Sequence, residues 1–311
     1  MTDGLASQLI CPVCHEPLTS SDHKHWRCDN NHSFDQARQG YLNLLLAHKK
    51  RSKAPGDDAD MVAARQRLLD CGVYQPISEL LNQAVSNSLV AGQSLQLCDV
   101  GCGEGYYTQR LAEALSQHAI TSRVYGVDIS KEAVRAAARR GRSSQVLSPH
   151  CDWIVASGAE LPFKAHSLDR ISCLFTRLMP EGFARALKQD GQVITVNTGL
   201  THLREMREIL YPQVKDSCFN PTAVMEKHGF VCVGEQPLRY TAELTSRQQI
   251  SDLLMMTPHV WKATAEARER LLAREQLTVT IDVALHQFVR NGESDTIAAQ
   301  SQPNTTAKPA S

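Results

Sequence analysis

Hydrophobic residues over positions 61–290 follow two alternating patterns. Short apolar runs predict strands, and stretches with apolar residues three or four positions apart predict helices. In chain order, the predicted strands are Leu95–Val100, Val124–Val127, Trp153–Ala156, Arg170–Phe175, Gln192–Asn197, Phe230–Val233 and Thr278–Val283. Helices are predicted between the early strands, at Tyr106–Ser116 and at Ser130–Arg140, where Ser130 is the expected N-cap.

This order of strands and helices predicts the fold class. Strands that alternate with helices along a chain form a parallel sheet whose two faces are covered by helices. The two late strands are expected to pair antiparallel at one edge of that sheet. We therefore expect an α/β fold with a mostly parallel, seven-stranded sheet.

The regions on either side of this pattern differ from it in composition. Residues 1–40 are rich in Cys, His, Asn and Asp, which predicts a small separate domain. Residues 41–60 contain a basic run and then Pro55-Gly56-Asp57-Asp58, which predicts a basic linker ending in a turn before a helix. Residues 291–311 have too few large apolar side chains to order themselves, and we expect a disordered tail. The α/β domain then spans residues 61–290.

Composition and charge exclude several classes of protein. The 311 residues are 42% hydrophobic and 21% charged, which is typical of globular chains. Lys plus Arg and Asp plus Glu are equal at 33, so a uniformly basic coat is excluded but a local basic patch is not. The sequence shows neither a secretory signal nor an apolar run long enough for a membrane span. We expect a cytoplasmic protein with reduced thiols.

Four Cys and His residues near the start have the spacing of a metal site. The chain reads C-x2-C, thirteen residues, C-x3-H, and the expected ligands are Cys11, Cys14, Cys28 and His32. Two such pairs complete the tetrahedron that structural zinc prefers, so we expect one structural Zn²⁺ per chain. Competing histidines are His15, His23 and His25. His32 is favoured because its spacing from Cys28 mirrors that of the first pair.

A glycine-rich segment follows the first predicted strand of the α/β domain and opens a helix. It reads Asp99-Val100-Gly101-Cys102-Gly103-Glu104-Gly105, and such glycines let the backbone approach a nucleotide-like ligand closely. In the dinucleotide-binding pattern the third glycine comes one residue later, where this chain has Tyr106. The D-x-G-x-G-x-G form instead resembles motif I of class I methyltransferases. That resemblance implies S-adenosylmethionine as cofactor, with Asp99 and Gly101 in its site.

Two further segments support a cofactor site at the same edge of the sheet. Asp128 ends the second strand, 23 residues beyond Gly105, where a carboxylate can accept hydrogen bonds from both ribose hydroxyls. Residues Ala156–Phe163 follow the third strand and resemble the adenine-side loop of the same enzymes. Ligands bind at the carboxyl ends of strands in such sheets. The expected architecture is a class I (Rossmann-like) methyltransferase core with a small N-terminal zinc-binding domain.

Three features favour RNA over a small molecule as substrate. Residues 36–56 contain five basic residues and no acid, namely Arg38, Lys49, Lys50, Arg51 and Lys53. Such a segment can face phosphates, although a solvated linker is the alternative. A fused zinc domain is suited to substrate recognition. The fourth strand ends without the Asn/Asp-Pro-Pro-aromatic loop of many exocyclic-amine methyltransferases and without a Pro-Cys nucleophile, which leaves a ring nitrogen or an oxygen as the target.

The chain resembles the 23S rRNA (guanine-N1)-methyltransferase RlmA (RrmA) family over most of residues 11–290. The resemblance is carried by the zinc-ligand start and by Phe34-Asp35, Gly40-Tyr41-Leu42-Asn43-Leu44-Leu45, Lys50-Arg51-Ser52, Pro55-Gly56-Asp57, Tyr74-Gln75-Pro76, Gly101 to Tyr107 and Met256-Thr257-Pro258. The chain departs from the family pattern around residues 172–182, so the guanine pocket is not identified.

The resemblance implies more than the spacing of motifs does. It implies methylation at N1 of a guanine in hairpin 35 of 23S rRNA, of the type at position 745, by a homodimer. The zinc domain would take part in RNA recognition. The resemblance also assigns cofactor contacts to Tyr74, Gly103, Glu104 and His202. Alternative roles are a core tyrosine for Tyr74 and a helix-start histidine for His202.

The catalytic residue is not identified from the sequence. Guanine N1 must lose its proton before it accepts a methyl group, and a carboxylate or imidazole would assist. Candidates are His202 and Glu181, while Tyr106 and Tyr107 could receive the unstacked base. Two other classes of function stay open: a small-molecule methyltransferase with a zinc-stabilised cap, and a non-catalytic RNA-binding protein with the same fold.

Overall fold

The computed structural model describes residues 5–49, 52, 55–87, 89–143, 151–214 and 218–292. Lys50, Arg51 and Lys53 of the predicted basic linker lie outside the described residues, as do residues 293–311 of the predicted tail.

Ten strands are found in the described ranges: β1 (His25–Arg27), β2 (Ser33–Asp35), β3 (Tyr41–Asn43), β4 (Ser94–Val100), β5 (Thr121–Asp128), β6 (Cys151–Val155), β7 (Leu168–Leu174), β8 (Leu187–Thr198), β9 (Phe230–Leu244) and β10 (Leu277–Arg290). Strands β1 and β2 form a small antiparallel hairpin. The other eight form one sheet in the order β3-β6-β5-β4-β7-β8-β10-β9. Strand β10 is antiparallel to both of its neighbours, and all other pairs are parallel.

The helices cover the sheet as the alternating pattern predicts. They are α1 (Ala59–Asp70), α2 (Gln75–Ser86), α3 (Tyr106–Gln117), α4 (Lys131–Ser143), α5 (Pro180–Ala186), α6 (Arg204–Leu210), α7 (Pro221–Glu226), α8 (Arg247–Met255), α9 (His259–Lys262) and α10 (Ala265–Leu272). The predicted turn before the first helix is confirmed, because the side chain of Asp58 accepts hydrogen bonds from the backbone N–H groups of Asp60 and Met61. Two 3₁₀ helices span Ala47–Lys49 and Gly158–Glu160.

The main sheet has one strand more than the seven predicted. Strands β4 to β10 are the seven expected ones, and β3 adds an eighth by pairing with β6 in the register Tyr41↔Trp153. Residues 41–43 were expected to begin a linker, but Tyr41 and Leu42 are buried against the sheet. A run of three residues is too short to show the alternation that identifies a strand. Residues 41–43 form a strand because Tyr41 and Leu42 are buried when the segment pairs with β6.

The late strands are also much longer than the sequence predicts. They pair along Leu277–Arg290 and Phe230–Leu244, with a register shift between Gln287 and Phe288. Strand β9 is the sheet edge and is mostly exposed or half-buried. The hydrophobic pattern does not show the full length of β9, because the strand contains polar residues, a glycine and Pro237. An edge strand needs few apolar side chains.

Hydrophobic side chains fill a core on each face of the main sheet. One core joins alternate residues of the strands, such as Leu97 and Trp153, to helices α1 to α4 and α8. The opposite core joins Tyr125 and Phe163 to the N-terminal region, including Leu9. Leu9 bridges to Phe163 as an antiparallel partner. The N-terminal region therefore packs directly on the sheet and shares its core.

The parallel strands β4 to β8 have their carboxyl ends at one edge of the sheet, which we call the carboxyl edge. The loops that follow these strands meet there, as the fold class requires. Among the described helices, none combines the length and apolar composition needed to cross a membrane.

Candidate functional site

The predicted zinc ligands converge in the folded chain. The ligand atoms of Cys11, Cys14, Cys28 and His32 all lie within 4.8 Å of one another. The Cys14 and Cys28 sulfurs are 3.6 Å apart, and the Cys28 sulfur lies 3.4 Å from His32 Nδ1. Three thiols and one imidazole at this spacing fit the tetrahedral donor set of structural zinc, with no position left for a catalytic water. We call residues 9–35, which carry these ligands, the zinc module.

Local hydrogen bonds prepare this ligand set. His15 N–H donates to the Cys11 carbonyl at 2.9 Å and closes the turn between the first two thiols. Hydrogen bonds from the Asn30 side chain and the Glu16 backbone lower the pKa of Cys14 to about 6, which favours the thiolate that binds metal. Of the competing histidines, His25 instead pairs with Asp22 at 2.6 Å on the surface. His32 is the histidine that joins the cluster.

Three glycines shape the loop between β4 and α3. Gly101, Gly103 and Gly105 have φ values of 76°, 57° and 83°, in the left-handed region that favours glycine. A Cβ on Gly101 would lie 2.5 Å from Thr176 Cγ2, and one on Gly105 would lie 2.6 Å from the Trp153 ring. Glycine is therefore required for both backbone shape and space. The loop can bring its backbone against a ligand, as the motif predicts.

Asp128 fixes this glycine loop to the end of β5. One carboxylate oxygen accepts a hydrogen bond from Gly103 N–H at 3.0 Å, and the other accepts from Ser130 N–H at 2.8 Å. Burial raises the pKa of Asp128 from its ordinary value. Each carboxylate oxygen has a second lone pair, so Asp128 can accept ribose hydroxyls while it holds the loop.

Asp99 lies beneath the loop. Its carboxylate is buried, with the residue only 2% exposed, and accepts hydrogen bonds from Thr108 Oγ1 at 2.5 Å and Ser172 Oγ at 2.8 Å. Burial raises the pKa of Asp99 to about 6. These bonds join β4, α3 and β7. The geometry favours a supporting role for Asp99 over the direct cofactor contact that the motif implies.

Tyr74 and His202 meet although 128 positions separate them. The Tyr74 hydroxyl lies 3.4 Å from His202 Nε2; Tyr74 is buried and His202 is half-buried. His202 Nδ1 accepts a hydrogen bond from Asp282 N–H at 3.3 Å. Burial lowers the pKa of His202 to about 4, so the ring is neutral at pH 7. Because Nδ1 accepts the Asp282 N–H, the ring proton is assigned to Nε2. Neither ring nitrogen is then free to accept a proton from a substrate.

Glu181, the other candidate base, has a different environment. It is in the first turn of α5, and its side chain is 86% exposed. Its carboxylate lies 3.7 Å from His228 Nδ1. An exposed carboxylate of this kind is poorly suited to accept a proton from guanine.

The sequence motifs missed the contribution of helix α1 and the residues before it. Arg65 forms an ion pair with Asp57, and its Nη1 lies 3.5 Å from where a Cβ on Gly103 would be. Ser130 Oγ donates to the Asp57 carbonyl at 2.6 Å. This segment therefore lies over the glycine loop and next to Asp128. No motif marks Arg65, because its role depends on a tertiary contact.

Glu104 adds a buried carboxyl group to the glycine loop. It is almost fully buried, and burial raises its pKa despite the nearby Arg65 and Arg140. Its Oε1 has no hydrogen-bond partner within the described ranges. A buried acceptor of this kind marks a place where a ligand can complete the hydrogen bonding. This supports the predicted cofactor contact of Glu104.

The segment after β7 covers the glycine loop. Thr176 lies against Gly101, and Met179 lies against Gly158, where an added Cβ would clash with Met179 Cε. Gly158 belongs to the predicted adenine-side loop, whose first turn is capped by Ser157. Residues 172–182, in which the sequence shows no family pattern, thus contact two of the predicted cofactor loops.

Four aromatic rings contact one another at the carboxyl edge, with the Phe175 ring in contact with the other three. They belong to Tyr74, Tyr107, Phe175 and His202, and we call them the aromatic cluster. Tyr106 is adjacent in sequence and contacts the Tyr107 ring at 5.2 Å, but it is buried, with Arg110 over its ring at 5.4 Å. Of the two tyrosines considered for base binding, the structure gives Tyr106 a helix-packing position and places Tyr107 in the cluster.

Comparison with known proteins agrees with this geometry. Residues 9–53 match the family described as "RlmA, N-terminal", and residues 97–197 match the family described as "Methyltransferase domain". These matches, together with the glycine-loop site and the Cys3His cluster, support S-adenosylmethionine as cofactor and a structural zinc ion.

Relatives match along nearly the whole chain. The 23S rRNA (guanine(748)-N(1))-methyltransferase of Streptomyces fradiae is 32% identical, covering 88% of this chain and 92% of the relative. An inferred 23S rRNA (guanine-N(1)-)-methyltransferase of Micromonospora griseorubida is 30% identical, covering 93% and 99%. One inferred in Bacillus subtilis is 29% identical, covering 89% and 95%. The chain therefore belongs to the family of 23S rRNA (guanine-N(1))-methyltransferases.

Proposed function

We propose that this protein transfers a methyl group to N1 of a guanine in the loop of hairpin 35 of 23S rRNA. The observation that carries the proposal is the match to the Streptomyces fradiae enzyme, which extends over both the zinc module and the methyltransferase core. A relative that shared the core alone would leave the substrate open, because many substrates are methylated on this fold.

The residues at the carboxyl edge have separable roles in this reaction. Bound S-adenosylmethionine supplies an electrophilic methyl group. Asp128 would accept the ribose hydroxyls, and the glycine loop would lie against the cofactor. Glu104 offers its unpaired oxygen to the same ligand. Asp99 holds the loop from below through Thr108.

Alignment of the methyl group with the acceptor nitrogen supplies much of the rate. Guanine N1 must also lose its proton. The environments of His202 and Glu181 favour neither as general base, so we assign the proton to no side chain. Rate should rise with pH until guanine itself is deprotonated.

We further propose that the zinc module and the basic segment after it bind the RNA backbone. Lys49 lies at the carboxyl edge, where it pairs with Glu160 of the predicted adenine-side loop. Arg38 precedes β3 and its carbonyl accepts a hydrogen bond from Arg142 at 2.9 Å. Basic residues on both sides of β3 could contact phosphates while the guanine enters the site.

The functional units are proposed to be residues 1–40, 41–60, 61–290 and 291–311, as the sequence predicts. Residues 41–60 contribute strand β3 to the main sheet. A homodimer is proposed from the family resemblance, and light scattering on the purified protein tests it. A ribosomal substrate supports a cytoplasmic location for the enzyme.

Primer extension on 23S rRNA tests the function and the position together. Methyl on N1 blocks Watson–Crick pairing, so reverse transcriptase should stop one nucleotide before the modified guanine. The stop should disappear on gene deletion and return with the wild-type gene. Its position separates guanine 745 from guanine 748, the position named for the Streptomyces fradiae relative. A stop that persists in the deletion strain contradicts the proposal, and transfer only to small molecules would favour the alternative class.

A further inference from the structure

Phe175 is in an unusual backbone conformation. It is the first residue after β7, and its φ of 54° lies in the left-handed region, which is unfavourable for a bulky side chain. Its N–H donates to the Val196 carbonyl at 3.0 Å, which holds the strand end in this shape. Strained conformations of this kind persist where the surroundings enforce them and are concentrated at functional sites.

The strained backbone presents an exposed aromatic ring. Phe175 is 39% exposed, although its ring centroid lies 6.0 Å from that of Tyr74 and 6.3 Å from that of Tyr107. The His202 ring stacks with it at 6.4 Å and 25°. By contrast, Tyr74 is 3% exposed and supports the cluster from within. Phe175 is thus a ring fixed in position by neighbours, with part of its surface open.

Phe175 is also adjacent to the cofactor loop. The next residue, Thr176, packs against Gly101, so Phe175 belongs to the segment that covers the glycine loop. In the same cluster, the Tyr107 hydroxyl is buried and makes no hydrogen bond to any described residue. A buried hydroxyl without a partner is consistent with a site that a ligand completes.

We propose that Phe175 is the stacking platform that receives the target guanine beside the cofactor. The inference rests on the proposed function and names the residue that positions its substrate. Enzymes that modify bases take them out of the stack, and aromatic side chains hold the unstacked base. Phe175 offers such an aromatic surface, because its ring is partly exposed, is held by neighbouring rings and lies at the carboxyl edge next to the glycine loop. Its place in the fold is the loop at residues 172–182, where the sequence shows no family pattern.

The test compares Phe175→Leu with Phe175→Tyr under single-turnover conditions, with radiolabelled S-adenosylmethionine and unmodified 23S rRNA. Leucine removes the aromatic face, and tyrosine keeps it. We expect the Phe175→Leu rate to fall roughly tenfold to a hundredfold, as expected when one base loses its stacking partner. Phe175→Tyr should react at close to the wild-type rate. Cofactor affinity, measured by calorimetry, should be the same in all three proteins.

A third variant separates stacking from packing. Asparagine tolerates the left-handed region better than phenylalanine, and this relief offsets part of the ring packing that is lost, so Phe175→Asn should melt close to the wild-type temperature while transferring methyl as slowly as Phe175→Leu. A packing role alone would lower the melting temperature and the rate together.

The inference is overturned if Phe175→Leu transfers methyl at the wild-type rate, or if its loss is matched by weaker cofactor binding. These outcomes differ from failure of the proposed function, in which the wild-type protein itself would not methylate guanine N1 in 23S rRNA.

Discussion

The zinc module and the glycine-loop site both contain short motifs, but they are completed in different ways. All four metal ligands come from 22 consecutive residues, between Cys11 and His32. The glycine-loop site instead combines the ends of several strands with Arg65 from α1 and with rings from four separate segments. A site made by one short segment can be read from spacing, whereas a site made by a sheet edge shows only its most regular part in the sequence.

The largest expected effect comes from breaking the local site. The double variant Cys11→Ser/Cys14→Ser should bind no zinc and lose the folded zinc module, since structural zinc contributes on the order of 10 kcal/mol to small metal-binding domains. Because Leu9 packs with Tyr125 and Phe163, the main domain should also melt at a lower temperature. Elemental analysis and calorimetry measure the two effects.

The matched control is Cys71→Ser, which removes an exposed cysteine outside the cluster. It should keep one zinc per chain. A full zinc complement in the double variant would show that other residues hold the metal.

The second effect concerns space at the glycine loop. Gly101→Ala should weaken S-adenosylmethionine binding at least tenfold. The new Cβ would clash with Thr176, and the glycine loop would have to shift. Gly92→Ala is the control, since Gly92 has a similar φ of 85° but no atom within 4 Å of the Cβ position. Both variants carry about 1–2 kcal/mol of backbone strain. Calorimetry with the cofactor should separate them, and equal affinities would mean that the Gly101 contact is unimportant.

The third effect separates the two acidic residues of the site. Folded Asp99 has a pKa of about 6, against 3.8 for an ordinary aspartate, so the folded state binds this proton more tightly. The resulting stabilisation is fully present below about pH 4 and is lost as pH rises to about 6, amounting to roughly 3 kcal/mol. Asp99→Asn can keep both hydroxyl partners and should flatten the unfolding free energy over this pH window.

Asp128→Asn is the matched change at the other carboxylate. An amide has one acceptor oxygen, so one of the bonds from Gly103 and Ser130 is lost, together with the charge. Its cofactor affinity should fall, while Asp99→Asn keeps the wild-type affinity. Denaturant unfolding against pH and cofactor titration measure both variants. If Asp99→Asn weakened cofactor binding and Asp128→Asn did not, Asp99 would be the cofactor ligand and Asp128 the supporting residue.

The same difference between a site made by one short segment and a site made by a sheet edge explains which features could be predicted from the sequence. The zinc ligands, the succession of strands and helices along the chain, and Asp128 come from local spacing and hydrophobic pattern. Strand β3 could not be predicted, because three residues within a basic segment show no period. Arg65 reaches the site through helix packing, and the left-handed conformation of Phe175 depends on Val196 of the next strand. Neither contact has a signal within a few residues of its own position.

The smallest expected effect concerns RNA affinity at the surface. Neutralising Lys49, Lys50, Arg51 and Lys53 together should reduce the log–log salt slope of 23S rRNA binding by roughly 3 to 4. Cofactor binding should not change. A triple glutamine variant at Lys164, Lys227 and Lys262, which are all exposed, is the control and should keep the wild-type slope. A wild-type slope in the first variant would make the basic run a solvated linker.

The most direct measurement of the central claim is nucleoside mass spectrometry on RNA methylated by the purified protein. Unmodified 23S rRNA is incubated with S-adenosylmethionine and either the wild-type protein or Asp128→Ala, and the RNA is then digested to nucleosides. We expect one 1-methylguanosine per RNA molecule with the wild-type protein and far less with Asp128→Ala. A methyl group on an exocyclic amine, on carbon 5 or on ribose, or no transfer to RNA at all, would contradict the central claim.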